Sequence, residues 1–227
     1  MDTSTLAYYA CCLFSFVPAI VFHEVAHGFA AWKLGDPTAK AAGRLTLNPL
    51  AHVDIFGSVI LPLIMMIAGG PVFGYAKPVP YNPTYFKNRR TGDFIVGMAG
   101  PAANLLMALV GAAVAYAFAD VSLGLASVNV PFAYFYFMFL PMFILVNLYL
   151  MFFNLIPVPP LDGSSIFALI VPKSKMGTYY KIEQYAMPVL LVLLFLVPYV
   201  TNCSPISAYL NLTAVNLAEF ICPILFS

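Results

Sequence analysis

Apolar residues along this chain gather into six runs, at 6–33, 57–70, 94–119, 132–156, 185–200 and 206–226. A helix needs about 20 predominantly apolar residues to cross a hydrocarbon core about 30 Å thick. The first, third and fourth runs exceed that length. The second has 14 residues and contains Pro62, so as a helix it reaches only about 21 Å. It is expected to enter and leave the membrane on one side. The pattern predicts an all-α polytopic membrane protein with about five to six transmembrane helices and a re-entrant segment at 57–70. The longest polar stretches, 35–54 and 75–92, flank that short run.

Composition agrees. The chain has 227 residues, of which 62% are hydrophobic and 8% charged, and its mean hydropathy is +0.91. Ordinary soluble domains are about 45–50% apolar and about 25% charged. A soluble fold, a disordered chain or a nucleic-acid binder is therefore excluded as the leading class, and a net charge of +1 gives no global bias. The ten Lys and Arg residues lie at 33, 40 and 44, at 77, 87, 89 and 90, and at 173, 175 and 181. With 57–70 re-entrant, all ten fall on one face, which the positive-inside rule makes cytoplasmic. The N-terminus and the 120–130 loop then lie outside. The N-terminal run carries Asp2 and no early Lys or Arg, and it outlasts a signal-peptide core. It is expected to be a retained transmembrane helix. Cys11, Cys12, Cys203 and Cys222 lack metal spacing and read as packed or lipid-facing thiols. No repeat or low-complexity tract appears, so residues 1–227 are expected to form one domain, with a core at 6–171 and C-terminal helices at 185–226.

Two of the three histidines lie in His23-Glu24-Val25-Ala26-His27. Positions i and i+4 share a helix face, so both imidazoles can reach one ion, and Glu24 beside them can polarise a water. Each ionisable group at bilayer depth costs about 2.5–3.5 kcal/mol on insertion scales. Three within five residues need a partner, which a dication with its water provides; the bland alternative is a hydrogen-bonded polar cluster between helices. Catalytic zinc usually takes three protein ligands. Asp162 is the candidate third, at the end of Asn154-Leu155-Ile156-Pro157-Val158-Pro159-Pro160-Leu161-Asp162-Gly163. The three prolines force the chain out of helix. Non-helical backbone at membrane depth is tolerated only inside protein or beside water. The alternative role of Asp162 is to cap a helix at 163–171, and both could hold. Counting crossings brings Asp162 to the cytoplasmic face, level with His27, only if 57–70 does not cross. His52 is open between fourth ligand or proton shuttle and a loop histidine bonded to backbone. Asp54 reads as a turn or cap, Glu183 with Lys181 as an interfacial pair, and Trp32 as an interfacial anchor.

HEVAH in a first span, Gly100-Pro101-Ala102-Ala103-Asn104 opening a second and NLIPVPPLDG closing a third together resemble the site-2 protease family of intramembrane zinc metalloproteases, in its minimal prokaryotic branch without PDZ or CBS modules. The resemblance covers roughly residues 6–171. It implies one Zn2+ per chain bound by His23, His27 and Asp162, with Glu24 activating water and Asn154 contacting substrate or the oxyanion. It implies close helix packing at Gly100, Pro101 and Asn104, and a short membrane-associated β-hairpin around 77–83 beside the active site. The implied function is hydrolysis of a peptide bond in or near a transmembrane helix of a membrane-protein substrate, in a prokaryotic cell (inner) membrane, with the active site near the cytoplasmic side and no nucleic-acid partner. A cation transporter using the same side chains, or a catalytically inactive structural relative, is the competing reading.

Overall fold

The computed structural model describes residues 3–60, 76–175, 181, 185–186, 188–190, 192–201 and 203–226. Among these, three helices are long and apolar enough to cross a membrane: α1 (Thr3–Lys33), α2 (Arg89–Ala117) and α3 (Val130–Asn154). The protein is thus a helical, integral membrane protein. The expected span at 206–226 is a continuous helical stretch at 205–221, too short to count among the three, followed by the turn Pro223–Phe226. That at 185–200 lies partly outside the described residues, as does most of 57–70. No β-strand occurs among the described residues, and 76–82 carry no regular secondary structure.

The helix starts differ from the apolar runs for a local reason. The third run begins at residue 94, yet α2 begins at Arg89, where the Asn88 side chain accepts from the Thr91 amide at 3.4 Å and its carbonyl from the Gly92 amide at 2.9 Å. The first turn is therefore polar, and hydropathy does not see it. As a consequence Gly100-Pro101-Ala102-Ala103-Asn104 lies inside α2 and does not open it, contrary to expectation.

The chain packs as two units. One comprises Met1–Ala19, Pro101–Leu155 and Pro205–Ser227. Its core sets small residues against large ones: Ala108, Ala112, Ala115, Ala214 and Ala218 are buried with Tyr136, Leu140, Ile144, Leu148 and Met151. Lipid tails offer no hydrophobic drive for helix association, so close approach over small residues and interhelical hydrogen bonds carry it. Asn104 is fully buried. Its Nδ2 donates to the Ala19 carbonyl at 3.1 Å and to Asn147 Oδ1 at 3.0 Å. Asn147 in turn donates to the Phe143 carbonyl at 2.9 Å. One amide thus ties α1, α2 and α3. Asn104→Ala leaves the buried Asn147 Oδ1 without this donor, which costs about 1–3 kcal/mol; denaturation in mixed detergent micelles is expected to show that loss.

The other unit comprises Ile20–Gly100 and Ile156–Ser204. Here α1 ends at Gly35, whose φ of +104° suits a glycine and turns the chain back, with the Asp36 amide donating to the Ala31 carbonyl at 3.0 Å. Pro37 follows and cannot continue the helix. At this end the Lys33 and Lys40 ammonium groups lie 5.2 and 4.6 Å from the Trp32 ring centroid.

Candidate metal centre

Helix α1 places His23 and His27 one turn apart, with ring centroids 4.6 Å apart and planes at 82°. His27 Nδ1 donates to the Val96 carbonyl of α2 at 2.6 Å. That bond makes Nδ1 the protonated nitrogen of the neutral ring, so Nε2 presents its lone pair. The two Nε2 atoms lie 3.0 Å apart.

Asp162 arrives from a chain that cannot be helical. After α3 the prolines at 157, 159 and 160 remove amide donors, and the backbone descends in tight turns, Leu161 to Val158 and Ser164 to Leu161, both at 3.0 Å. Helix α4 (Ser164–Ile170) then starts, capped at Gly163 without any side-chain bond. Asp162 therefore does not serve as its side-chain cap; only its carbonyl takes part, accepting from Ser165 N at 3.0 Å. The Asp162 carboxylate faces the imidazoles, with Oδ2 at 3.1 Å from His23 Nε2 and 3.4 Å from His27 Nε2.

The donor set fits a zinc ion. Three bonds of about 2.0–2.1 Å at tetrahedral angles require donor atoms about 3.3 Å apart. The observed separations are 3.0, 3.1 and 3.4 Å. Oδ2 is a buried oxygen with no hydrogen-bond geometry to any described donor. A carboxylate and an imidazole lone pair aimed at one point repel each other unless a cation lies between them. His23, His27 and Asp162 are the one such cluster of His, Cys, Asp or Glu among the described residues.

Glycines on α2 make room for this cluster. A Cβ on Gly100 would collide with both imidazole rings, and one on Gly97 with Ser165. The glycine at 100 is thus required by the histidines. Gly100→Ala is expected to weaken zinc binding about 10–100-fold, the range for disturbing the groups that orient metal ligands; competition against a zinc-chelating dye measures it.

Glu24, beside the cluster, reaches a strap of chain at 77–82. Its Oε2 accepts from the Val79 amide at 3.0 Å. Lys77 is held at both ends, its amide donating to the His52 carbonyl at 2.9 Å and its carbonyl accepting from Arg44 Nη2 at 2.7 Å. Asn82 N donates to Asp36 Oδ2 at 2.5 Å. Asp36 is fully buried. Burial pushes its carboxyl up, but the Thr38 hydroxyl and the Asn82 and Thr38 amides outweigh it and hold the group below its ordinary value. Because the folded value is the lower one, this stabilisation is complete above the unfolded pKa of about 3.9 and is lost as pH falls through the folded value. Asp36→Asn is expected to flatten that acid limb in a pH series of thermal unfolding midpoints.

The remaining sequence candidates have other partners. His52 is buried and its Nε2 donates to the Thr46 carbonyl at 2.8 Å, the loop-histidine arrangement. Asp54 accepts from the Gly57 amide at 2.7 Å, as a cap. Asn154 ends α3 with Nδ2 donating to the Leu150 carbonyl at 3.0 Å. All four cysteines are free, and Glu183 lies outside the described residues. Sequence reasoning missed Val79, Asp36, Arg44 and Asn147. Only Asp36 left a signal, an acidic residue between a glycine and a proline at a helix end.

Comparison with known proteins agrees with this chemistry. The model of peptidase family M50 matches residues 122–197. "Putative zinc metalloprotease YwhC" of Bacillus subtilis (strain 168) is 36% identical over 177 residues, covering 78% of this chain and 76% of that protein. "Putative zinc metalloprotease Rip2" of Mycobacterium tuberculosis (strain ATCC 25618 / H37Rv) is 29% identical over 185 residues, 79% of this chain and 64% of that one. Its namesake in Mycolicibacterium smegmatis is 37% identical over 92 residues, 40% of this chain and 34% of that one. No solved structure matches significantly. With three quarters of a zinc-metalloprotease relative aligned and a zinc-shaped donor set built on HEVAH, the chain belongs to peptidase family M50, the site-2 protease family.

Proposed function

We propose that this protein is an intramembrane zinc endopeptidase that hydrolyses a peptide bond in or near a transmembrane helix of a membrane-protein substrate. The observation that carries the reading is the convergence of Asp162 Oδ2 on both imidazoles at 3.1 and 3.4 Å. His23, His27 and Asp162 would hold one zinc per chain. Zinc there supplies a Lewis acid that polarises a carbonyl and lowers the pKa of water toward about 7. Glu24 removes a proton from the attacking water and hands it to the leaving amine as the C–N bond breaks. Asn154 contributes a contact to the substrate or the oxyanion.

A substrate helix keeps its amides in internal bonds and must unwind before attack. The strap favours an extended peptide beside the site, since Pro78 and Pro80 have no amide and no described donor reaches the carbonyls of residues 78, 79 and 80. A substrate strand can donate to them by strand addition. The excess of Lys and Arg on loops assigned to one face supports a site near the cytoplasmic side of a prokaryotic cell membrane.

Comparative proteomics of membranes from cells carrying the wild type or Glu24→Gln tests the function. A membrane-anchored precursor should accumulate in the variant and its shortened product should vanish. A transporter predicts zinc flux into vesicles with no change in any precursor, and that result would reject the protease reading.

A further inference from the structure

We infer that the Val79 amide is the positioning group for Glu24, and that the strap at 77–82 is tied down in order to hold that amide in place. This rests on Glu24 acting as the base, as proposed above.

Glu24 is the one ionisable residue of HEVAH whose contact is with the strap and not with Asp162. A glutamate side chain has three rotatable torsions, and an unheld carboxylate samples several rotamers. A base must be oriented within hydrogen-bond reach of its proton, and precise orientation is worth orders of magnitude in rate. Here Oε2 is taken by the Val79 amide at 3.0 Å. Oε1 keeps its lone pairs for the water.

The strap is unusually determined around this one bond. Pro78 and Pro80 flank Val79 and have no amide, so within 78–80 only Val79 can donate. The prolines also restrict the residues before them to extended backbone. The Val79 side chain is buried. It fills a socket over Gly28, where an added Cβ would lie 2.7 Å from Val79 Cγ1, 2.8 Å from Leu45 and 3.1 Å from Ala39. Gly28 is one turn beyond Glu24 on α1, so socket and carboxylate lie on one strip of the helix. On either side, buried Arg44 grips the Lys77 carbonyl and buried Asp36 grips the Asn82 amide. Anchors at 77, 79 and 82 leave the Val79 amide little freedom. Asp36 and Arg44 are thus positioning residues acting on Glu24 through the strap.

The test uses the full-length protein in detergent, loaded with zinc, and acetohydroxamate as probe. A hydroxamate ligates zinc as an anion, and its proton goes to a correctly placed carboxylate, so its affinity reports the orientation of Glu24 without any substrate. Val79→Ala measures the cost of emptying the socket, and Val79→Pro adds the loss of the amide. Val79→Pro is expected to bind acetohydroxamate at least tenfold more weakly than Val79→Ala, with one zinc per chain in both. Equal affinity of the two overturns the proposal. Glu24→Gln separates the two readings: unchanged hydroxamate affinity there removes Glu24 as the base, and the function with it. Amide hydrogen exchange is a second measurement that needs no strap variant. In the wild type against Glu24→Ala, one amide within 76–82 should exchange at least tenfold faster in the variant. Unchanged exchange shows that the amide is not held by Glu24 and overturns the positioning role.

Discussion

Glu24→Gln is expected to keep its zinc and lose about 100- to 10,000-fold in cleavage rate, the contribution of a positioned general base. Glutamine is nearly isosteric, and its side-chain carbonyl can still accept the Val79 amide that now rests on Oε2. The strap and the α1 register should therefore be preserved. His27 is oriented by the Val96 carbonyl. The loss would then report proton transfer and nothing else. Rate on an accumulated membrane substrate, with zinc per chain measured on the same preparation, is the check. Cleavage within threefold of wild type would transfer the base role to another group.

Asp162→Ala is expected to reduce zinc affinity by more than about 100-fold, and cleavage falls with it. The variant removes one of three ligands and the only anion among them, leaving two neutral imidazoles 3.0 Å apart. Disturbing the groups that merely orient metal ligands costs 10–100-fold, so losing a ligand outright costs more. Zinc content after equilibration in a zinc buffer reads the effect. Full zinc occupancy in Asp162→Ala would dissolve the proposed site.

Much of the site could be read from the linear chain because its chemistry sits on regular elements. HEVAH needs only a helix for His23 and His27 to share a face. Asp162 was legible because three prolines mark a break at membrane depth, where irregular backbone and a lone carboxylate are both costly. The three long helices followed from apolar length alone. Where α2 begins was not legible, because its first turn is polar and capped by Asn88. That five-residue offset sets Gly100 well inside the helix.

By itself, then, the order of residues determined the solvent, the long helices and which groups can ligate a metal, since each depends on hydropathy or on spacing within one helix. Only the tertiary structure decided that Asp162 reaches both imidazoles, that Gly100 is a glycine to clear two rings, and that Asp36, Arg44 and Glu24 all grip the strap at 77–82. Those contacts join residues 33 to 139 positions apart, and no local propensity encodes which distant backbone group a carboxylate will meet. Packing selects among them by the rule that a buried polar group must find a partner.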